Sequence, residues 1–146
     1  MISTDRTFVI VIVEDNPGDV VLVQEALEEA AFPHALHVVS NGTDAVECMR
    51  KVRADAGCGP DLVILDLNLP GKTGRQIMAE MEASEDLRAL PVAVLTTSRS
   101  ERGIGSEFPH LRSTFAAKTP EFAQLVDIVR RFREFASQPS QASDLN

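Results

Sequence analysis

Four places along the chain carry residue types that can do phosphoryl or metal chemistry: the doublet Glu14-Asp15, then Asp66, the hydroxyl run Thr96-Thr97-Ser98, and Lys118. The first three follow directly on short apolar runs at 8–13, 62–65 and 92–95, and Lys118 stands two residues beyond a shorter candidate strand at 114–116. Runs of Val, Ile and Leu without polar alternation suit strands buried on both faces of a parallel sheet. In an open sheet of that kind, functional groups gather where the strands end. Three carboxylates, several hydroxyls and one lysine are therefore expected to face a single pocket. Packed carboxylates repel each other and need a cation, and oxygen-only ligands with positions left for water and phosphate suit Mg²⁺. With that charge neutralised, one carboxylate can attack a phosphoryl donor while the lysine and the metal stabilise the transferring oxygens. A single acidic residue at a strand end is ordinary loop solvation. The complete set on one edge is what points to chemistry.

Helices must lie between these strands to hold them parallel. Residues 19–31 place Val20, Val23 and Leu27 on one face, residues 43–53 carry Val46, Met49 and Val52, and residues 73–83 carry Ile77, Met78 and Met81. Residues 119–136 form the longest amphipathic pattern, and a further strand is expected at 37–39. Strand and helix thus alternate five times, which predicts an α/β sandwich with right-handed crossovers. The weak element is the fourth helix. Residues 100–111 contain Gly103, Gly105 and Pro109, and each interior glycine costs a helix roughly 1 kcal/mol against alanine. That helix is expected to be short, frayed or displaced.

Composition narrows the possible functions. The chain has 146 residues, suited to one domain, and 44% apolar residues, enough for a packed core. A formal charge of -8 argues against a nucleic-acid surface. Cys48 and Cys58 lack C-x-x-C spacing, and His34, His37 and His110 are scattered, so neither a zinc site nor a disulfide framework is expected. The apolar stretch 8–13 is too short for a signal-peptide core or a membrane span, which gives a cytoplasmic reading. Two competing motifs fail. Pro70-Gly71-Lys72-Thr73 contains the Gly-Lys-Thr of a P-loop, but Asp66 occupies the position of the required first glycine. A haloacid-dehalogenase type of phosphatase would place a second Asp two residues after its nucleophile, where Asn68 stands.

The set resembles the CheY-like receiver domains of bacterial two-component signalling, over about residues 8–135. The marks are Val13-Glu14-Asp15-Asn16, the run from Asp61 to Pro70, Leu95-Thr96-Thr97-Ser98, and Lys118, with thirty residues from Asp66 to Thr96 and twenty-two from Thr96 to Lys118. Asp15-Asn16-Pro17-Gly18-Asp19-Val20, Phe32-Pro33-His34 and Asp66-Leu67-Asn68-Leu69-Pro70 look more narrowly like stand-alone regulators paired with phytochrome-type histidine kinases. The resemblance implies a flavodoxin-like (βα)5 fold with a doubly wound five-stranded parallel sheet in a three-layer sandwich. The expected division is a tail at 1–7, a receiver at 8–137 and a tail at 138–146.

The roles implied by the resemblance are specific. Asp66 is the phosphoacceptor; Glu14, Asp15, Asp66 and the Asn68 backbone carbonyl hold Mg²⁺; Thr96 and Lys118 bind the phosphoryl group. Phe115 is the switch aromatic coupled to Thr96, and Asn68 and Ser98 tune hydrolysis. The function implied is a phosphorelay in which Asp66 takes a phosphoryl group from a sensor histidine kinase. The alternatives are a shuttle to a histidine phosphotransfer protein and a binding module that works without phosphorylation. The chain departs from the family where Thr119 replaces the proline usual after the lysine, with Pro120 one later and suited to begin the last helix. Thr73 stands where an Asp often precedes the loop glycine, Gly74. On the last helix, Phe122, Leu125, Val126, Val129 and Ala136 are expected to cover the sheet. A second stripe of Ile128, Phe132 and Phe135 predicts a homodimer through that helix.

Overall fold

In the computed structural model, which describes residues 6–138, the three apolar runs are the central strands of one sheet. The strands are β1 (Phe8–Val13), β2 (His34–Val39), β3 (Leu62–Leu65), β4 (Val92–Thr96) and β5 (Ser113–Ala117). They run parallel in the order β2-β1-β3-β4-β5. This is the doubly wound flavodoxin-like order, with its reversal between β1 and β3. β3 and β4 are buried throughout and β1 nearly so, whereas edge strand β2 alternates partly exposed and exposed residues until Val39. Full burial of both faces explains why the central strands read as unbroken apolar runs.

Two cores flank the sheet. On one face Phe8, Ile10, Ile12, Ile64 and Leu95 pack with residues of α1 (Pro17–Glu29) and α4 (Phe122–Ser137). On the other, Val11, Val13, Val63, Leu65 and Val94 pack with α2 (Ala45–Ala56) and α3 (Gly74–Ala83). The starts of α1 and α3 follow local capping. The Asn16 carboxamide oxygen accepts from the Gly18 and Asp19 amides at 2.8 and 3.2 Å, with Pro17 in the first position of α1. The helix therefore starts two residues earlier than its apolar period suggests, and Asp19 falls in its first turn. Thr73 and Gln76 form a reciprocal capping box at α3.

Between β4 and β5 there is no α-helix. Two short 3₁₀ turns, Arg99–Glu101 and Ile104–Glu107, take its place, so the described residues form four α-helices where the alternation predicted five. Ile104, Phe108 and Leu111 anchor this segment in the core. Arg75 of α3 grips it from outside, pairing with Glu107 at 2.8 and 2.9 Å and with Glu101.

Three expectations are corrected at the C-terminal side. Pro120 does not begin the last helix, since α4 starts at Phe122 after Glu121, whose amide donates to the Thr119 hydroxyl at 3.1 Å. Phe122, expected over the sheet, is 40% exposed. The predicted dimer stripe is not on the surface. Ile128 and Phe132 are 7% and 2% exposed and belong to the core against α1, and half-buried Phe135 lies under the Arg112 guanidinium at 5.0 Å. α4 packs on α1 as well as on the sheet, so its buried face is wider than one row, and Ile128 and Phe132 of the second stripe are covered within the chain. Most of the expected tails, residues 1–5 and 139–146, lie outside the described residues.

This packing sets the stability expected of two α4 variants. Phe132→Ala empties a filled core position and should cost roughly 3–5 kcal/mol, whereas Phe135→Ala should cost well under half of that. Urea unfolding monitored by circular dichroism measures both. The cost of Phe132→Ala should be the same at low and high protein concentration, as it would not be if Phe132 were a subunit contact.

Candidate functional site

The carboxyl edge of the sheet brings together residues separated by more than a hundred positions in the chain. Glu14 ends β1, Asp66 ends β3, and Lys118 follows β5, its amide donating to the Thr96 carbonyl at 2.8 Å as β5 leaves the ladder. The Lys118 ammonium donates to three carboxylates: Asp19 Oδ2 at 2.7 Å, Glu14 Oε1 at 2.8 Å and Asp66 Oδ2 at 3.3 Å. Lys118, Glu14 and Asp66 are only 16%, 5% and 7% exposed in their side chains, so the pairs form largely out of water. One oxygen each from Glu14, Asp15 and Asp66 lie within 4.8 Å of one another. Three carboxylate oxygens without nitrogen or sulfur fit a hard divalent cation. Glu14 and Asp66 are buried while Asp15 faces solvent, which gives such an ion an open side.

Burial dominates the electrostatics. It pushes the Glu14 carboxyl up to about 7, against the downward pull of the Lys118 hydrogen bond and with the Asp66 charge adding to the rise. Burial on its own would lower the Lys118 pKa, but hydrogen bonds to Asp19 and Glu14 and the charge of Asp66 outweigh it and hold the ammonium protonated.

Thr96 is fully buried at the end of β4, and its hydroxyl has no hydrogen-bond partner within the described residues. A buried polar atom left without a partner costs about 1–3 kcal/mol, so this hydroxyl is suited to an incoming acceptor at the same edge. Phe115 pairs with Val94 across β4 and β5. With a side-chain period of two it shares a face with Thr96. Phe115 is half-buried against the core and lines a cavity of about 170 Å³ beside Ile104 and Gly105. Asn68 is exposed and its amide donates to Asp66 Oδ1 at 3.3 Å. The Ser98 hydroxyl meets Ser100 at 2.9 Å.

The loop after β3 is held by close backbone approaches. A Cβ on Gly74 would stand 2.6 Å from the Asp66 carbonyl oxygen and 2.7 Å from Leu67 Cα. One on Gly42 would fall 1.6 Å from the Lys72 carbonyl oxygen, and the Gly42 amide donates to the Pro70 carbonyl at 3.2 Å. The β2–α2 loop thus buttresses the loop that carries Asp66 and Asn68. The three histidines do not join the acidic group, which is the sole metal-capable cluster among the described residues. Sequence reasoning missed Asp19. The available signal was Pro17, which as a first-turn residue starts the helix early enough to set Asp19 over the sheet edge.

An acidic triad, a buried threonine hydroxyl and a lysine at the carboxyl edge of a doubly wound sheet define a response-regulator site, and comparison with known proteins agrees. Residues 10–130 match the model of the response regulator receiver domain, and the chain belongs to that family. It is 33% identical over 128 residues to response regulator Rcp1 of Synechocystis sp., covering 87% of each protein. The phosphorylated cyanobacterial phytochrome response regulator RcpA superposes with a TM-score of 0.76 at 36% identity, over 92% of this chain and 98% of that one. The Mn²⁺-bound form of Rcp1 superposes with a TM-score of 0.71 at 30% identity, over 91% and 97%. No helix among the described residues is long and apolar enough to cross a membrane.

The raised Glu14 pKa predicts a signed pH effect. Its folded value of about 7 lies above the 4.5 of the free side chain. Its stabilising contribution is therefore fully present below about pH 4.5 and is lost as pH rises through 7. In chelator, the parent should lose stability relative to Glu14→Gln between pH 5 and 8, at no more than about 1.4 kcal/mol per pH unit. Urea melts of both proteins measure it, and parallel curves would contradict the prediction.

Proposed function

We propose that this chain is a two-component response regulator that accepts a phosphoryl group on Asp66 from a phosphohistidine of a sensor histidine kinase. The observation that carries the reading is the part-buried Lys118–Asp66 contact at 3.3 Å on the edge where the Thr96 hydroxyl lacks a partner among the described residues. Asp66 is pinned by the Asn68 amide on one oxygen and by Lys118 on the other. Its carboxylate oxygen attacks phosphorus, the P–N bond breaks, and its electron pair leaves on the imidazole nitrogen, which takes a proton from solvent. Lys118 neutralises charge on the phosphoryl oxygens, and Thr96 donates its hydroxyl to one of them. Glu14, Asp15, Asp66 and the Asn68 carbonyl would hold Mg²⁺, which when bound offsets the carboxylate charge and stabilises the transferring group. Asn68 and Ser98 border the acyl phosphate and set access of the hydrolysing water. The likeness to a phytochrome response regulator supports a phytochrome-type kinase as donor.

The output is a change at the β4–β5 edge. When Thr96 is drawn to the phosphoryl group, it vacates space on the face it shares with Phe115, and the ring turns toward it. The adjoining 3₁₀ segment, which borders the same cavity, carries the change to the surface. Such a switch needs two arrangements within a few kcal/mol.

Two outcomes are expected. Incubated with phosphoramidate, the parent should gain the mass of one phosphoryl group only with Mg²⁺, and Asp66→Asn should gain none; equal labelling of Asp66→Asn refutes the assignment. With beryllofluoride and Mg²⁺, the Phe115 ring and Thr96 methyl NMR signals should both shift, whereas in Thr96→Ala the Phe115 shift should be lost.

A further inference from the structure

We propose that Asp19 is a positioning residue for phosphoryl transfer: it anchors the Lys118 ammonium from the α1 side, so that the other N–H donors stay aimed at Asp66 and the group transferred to it. The inference rests on the reading of Asp66 as phosphoacceptor. A lysine ammonium has three N–H donors, and the structure supplies one carboxylate for each: Asp19 at 2.7 Å, Glu14 at 2.8 Å and Asp66 at 3.3 Å. Glu14 and Asp66 both belong to the carboxylate group suited to a cation, and Asp19 does not. When a cation claims oxygens of Glu14 and Asp66, Asp19 is the partner that Lys118 keeps.

The anchor is itself rigidly placed. Asp19 stands in the first turn of α1, and the Asn16 cap accepts its backbone amide at 3.2 Å. Behind the ion pair lies a cavity of about 30 Å³, with Leu22, Val23, Leu95, Thr119 and Leu125 as its other walls. These walls offer no second anion. Without Asp19, the four-carbon stem of Lys118 is free to swing its ammonium toward solvent. Misplacement of a transition-state group by about 1 Å costs on the order of tenfold to a hundredfold in rate. A purely structural Asp19 would act instead through the helix dipole, changing stability with no link to Lys118.

The test compares parent, Asp19→Asn, Asp19→Glu, Lys118→Ala and the Asp19→Asn/Lys118→Ala double variant. The rate of labelling by phosphoramidate is followed by intact mass at saturating Mg²⁺. Asn has nearly the shape of Asp at a site one-third exposed, and Asp19→Ser serves as a second variant should circular dichroism show Asp19→Asn unfolded. Asp19→Asn should slow labelling by about tenfold and leave the half-saturating Mg²⁺ concentration little changed, Asp19→Glu should recover part of the rate, and the double variant should match Lys118→Ala. Labelling of Asp19→Asn at the parental rate, or an equal further slowing in the Lys118→Ala background, overturns the role of Asp19 alone. A parent that takes no label removes the phosphoacceptor reading and the Asp19 role with it.

Discussion

One buried ammonium holds the functional edge together. Glu14, Asp19 and Asp66 converge from β1, α1 and β3, and Lys118 from the end of β5 is their common partner. Removing charges from water is costly; Lys118, Glu14 and Asp66 are largely withdrawn from it while Asp19 is one-third exposed, so losing a partner costs less than the roughly 3–5 kcal/mol of a fully buried pair. The site therefore stands only while every contributing element keeps its register. The parallel sheet guarantees this, because β1, β3, β4 and β5 end at one edge with their pairing fixed residue by residue. One ammonium still leaves the four nearby carboxylates, Asp15 included, in excess. Burial pushes the Glu14 carboxyl up, and the neighbouring Asp66 charge, part of that excess, adds to the rise.

The flank beside Thr96 is built differently. The segment between β4 and β5 is two 3₁₀ turns, whose hydrogen bonds are fewer and poorer than those of an α-helix. Its hold on the domain comes from burial of Ile104, Phe108 and Leu111. The Arg75 ion pairs are exposed by a third to a half, and pairs of that kind contribute about 0–1 kcal/mol. A segment held by three apolar anchors beside a cavity can shift more readily than a four-turn helix. It follows Thr96 in the chain and borders the cavity that Phe115 lines, so a segment without α-helical hydrogen bonds lies beside both residues.

The sequence by itself determined the central strands, because burial on both faces demands the uninterrupted apolar runs at 8–13, 62–65 and 92–95. The residues closing those strands, Glu14, Asp66 and Thr96, and then Lys118, could be identified before any coordinates, since the edge of a parallel sheet follows from strand order alone. The weakness of the fourth helix was also legible, as Gly103, Gly105 and Pro109 work locally. Only the tertiary structure decided the rest. The Lys118–Asp19 contact joins residues ninety-nine positions apart and has no periodic signature. Ile128 and Phe132 form a stripe that suits a second helix equally well, and only the way α4 crosses α1 and the sheet shows that both are buried at home. The difference is physical: burial and turn chemistry are written along the chain, whereas which charges meet, and which apolar face is already covered, depends on how the elements pack.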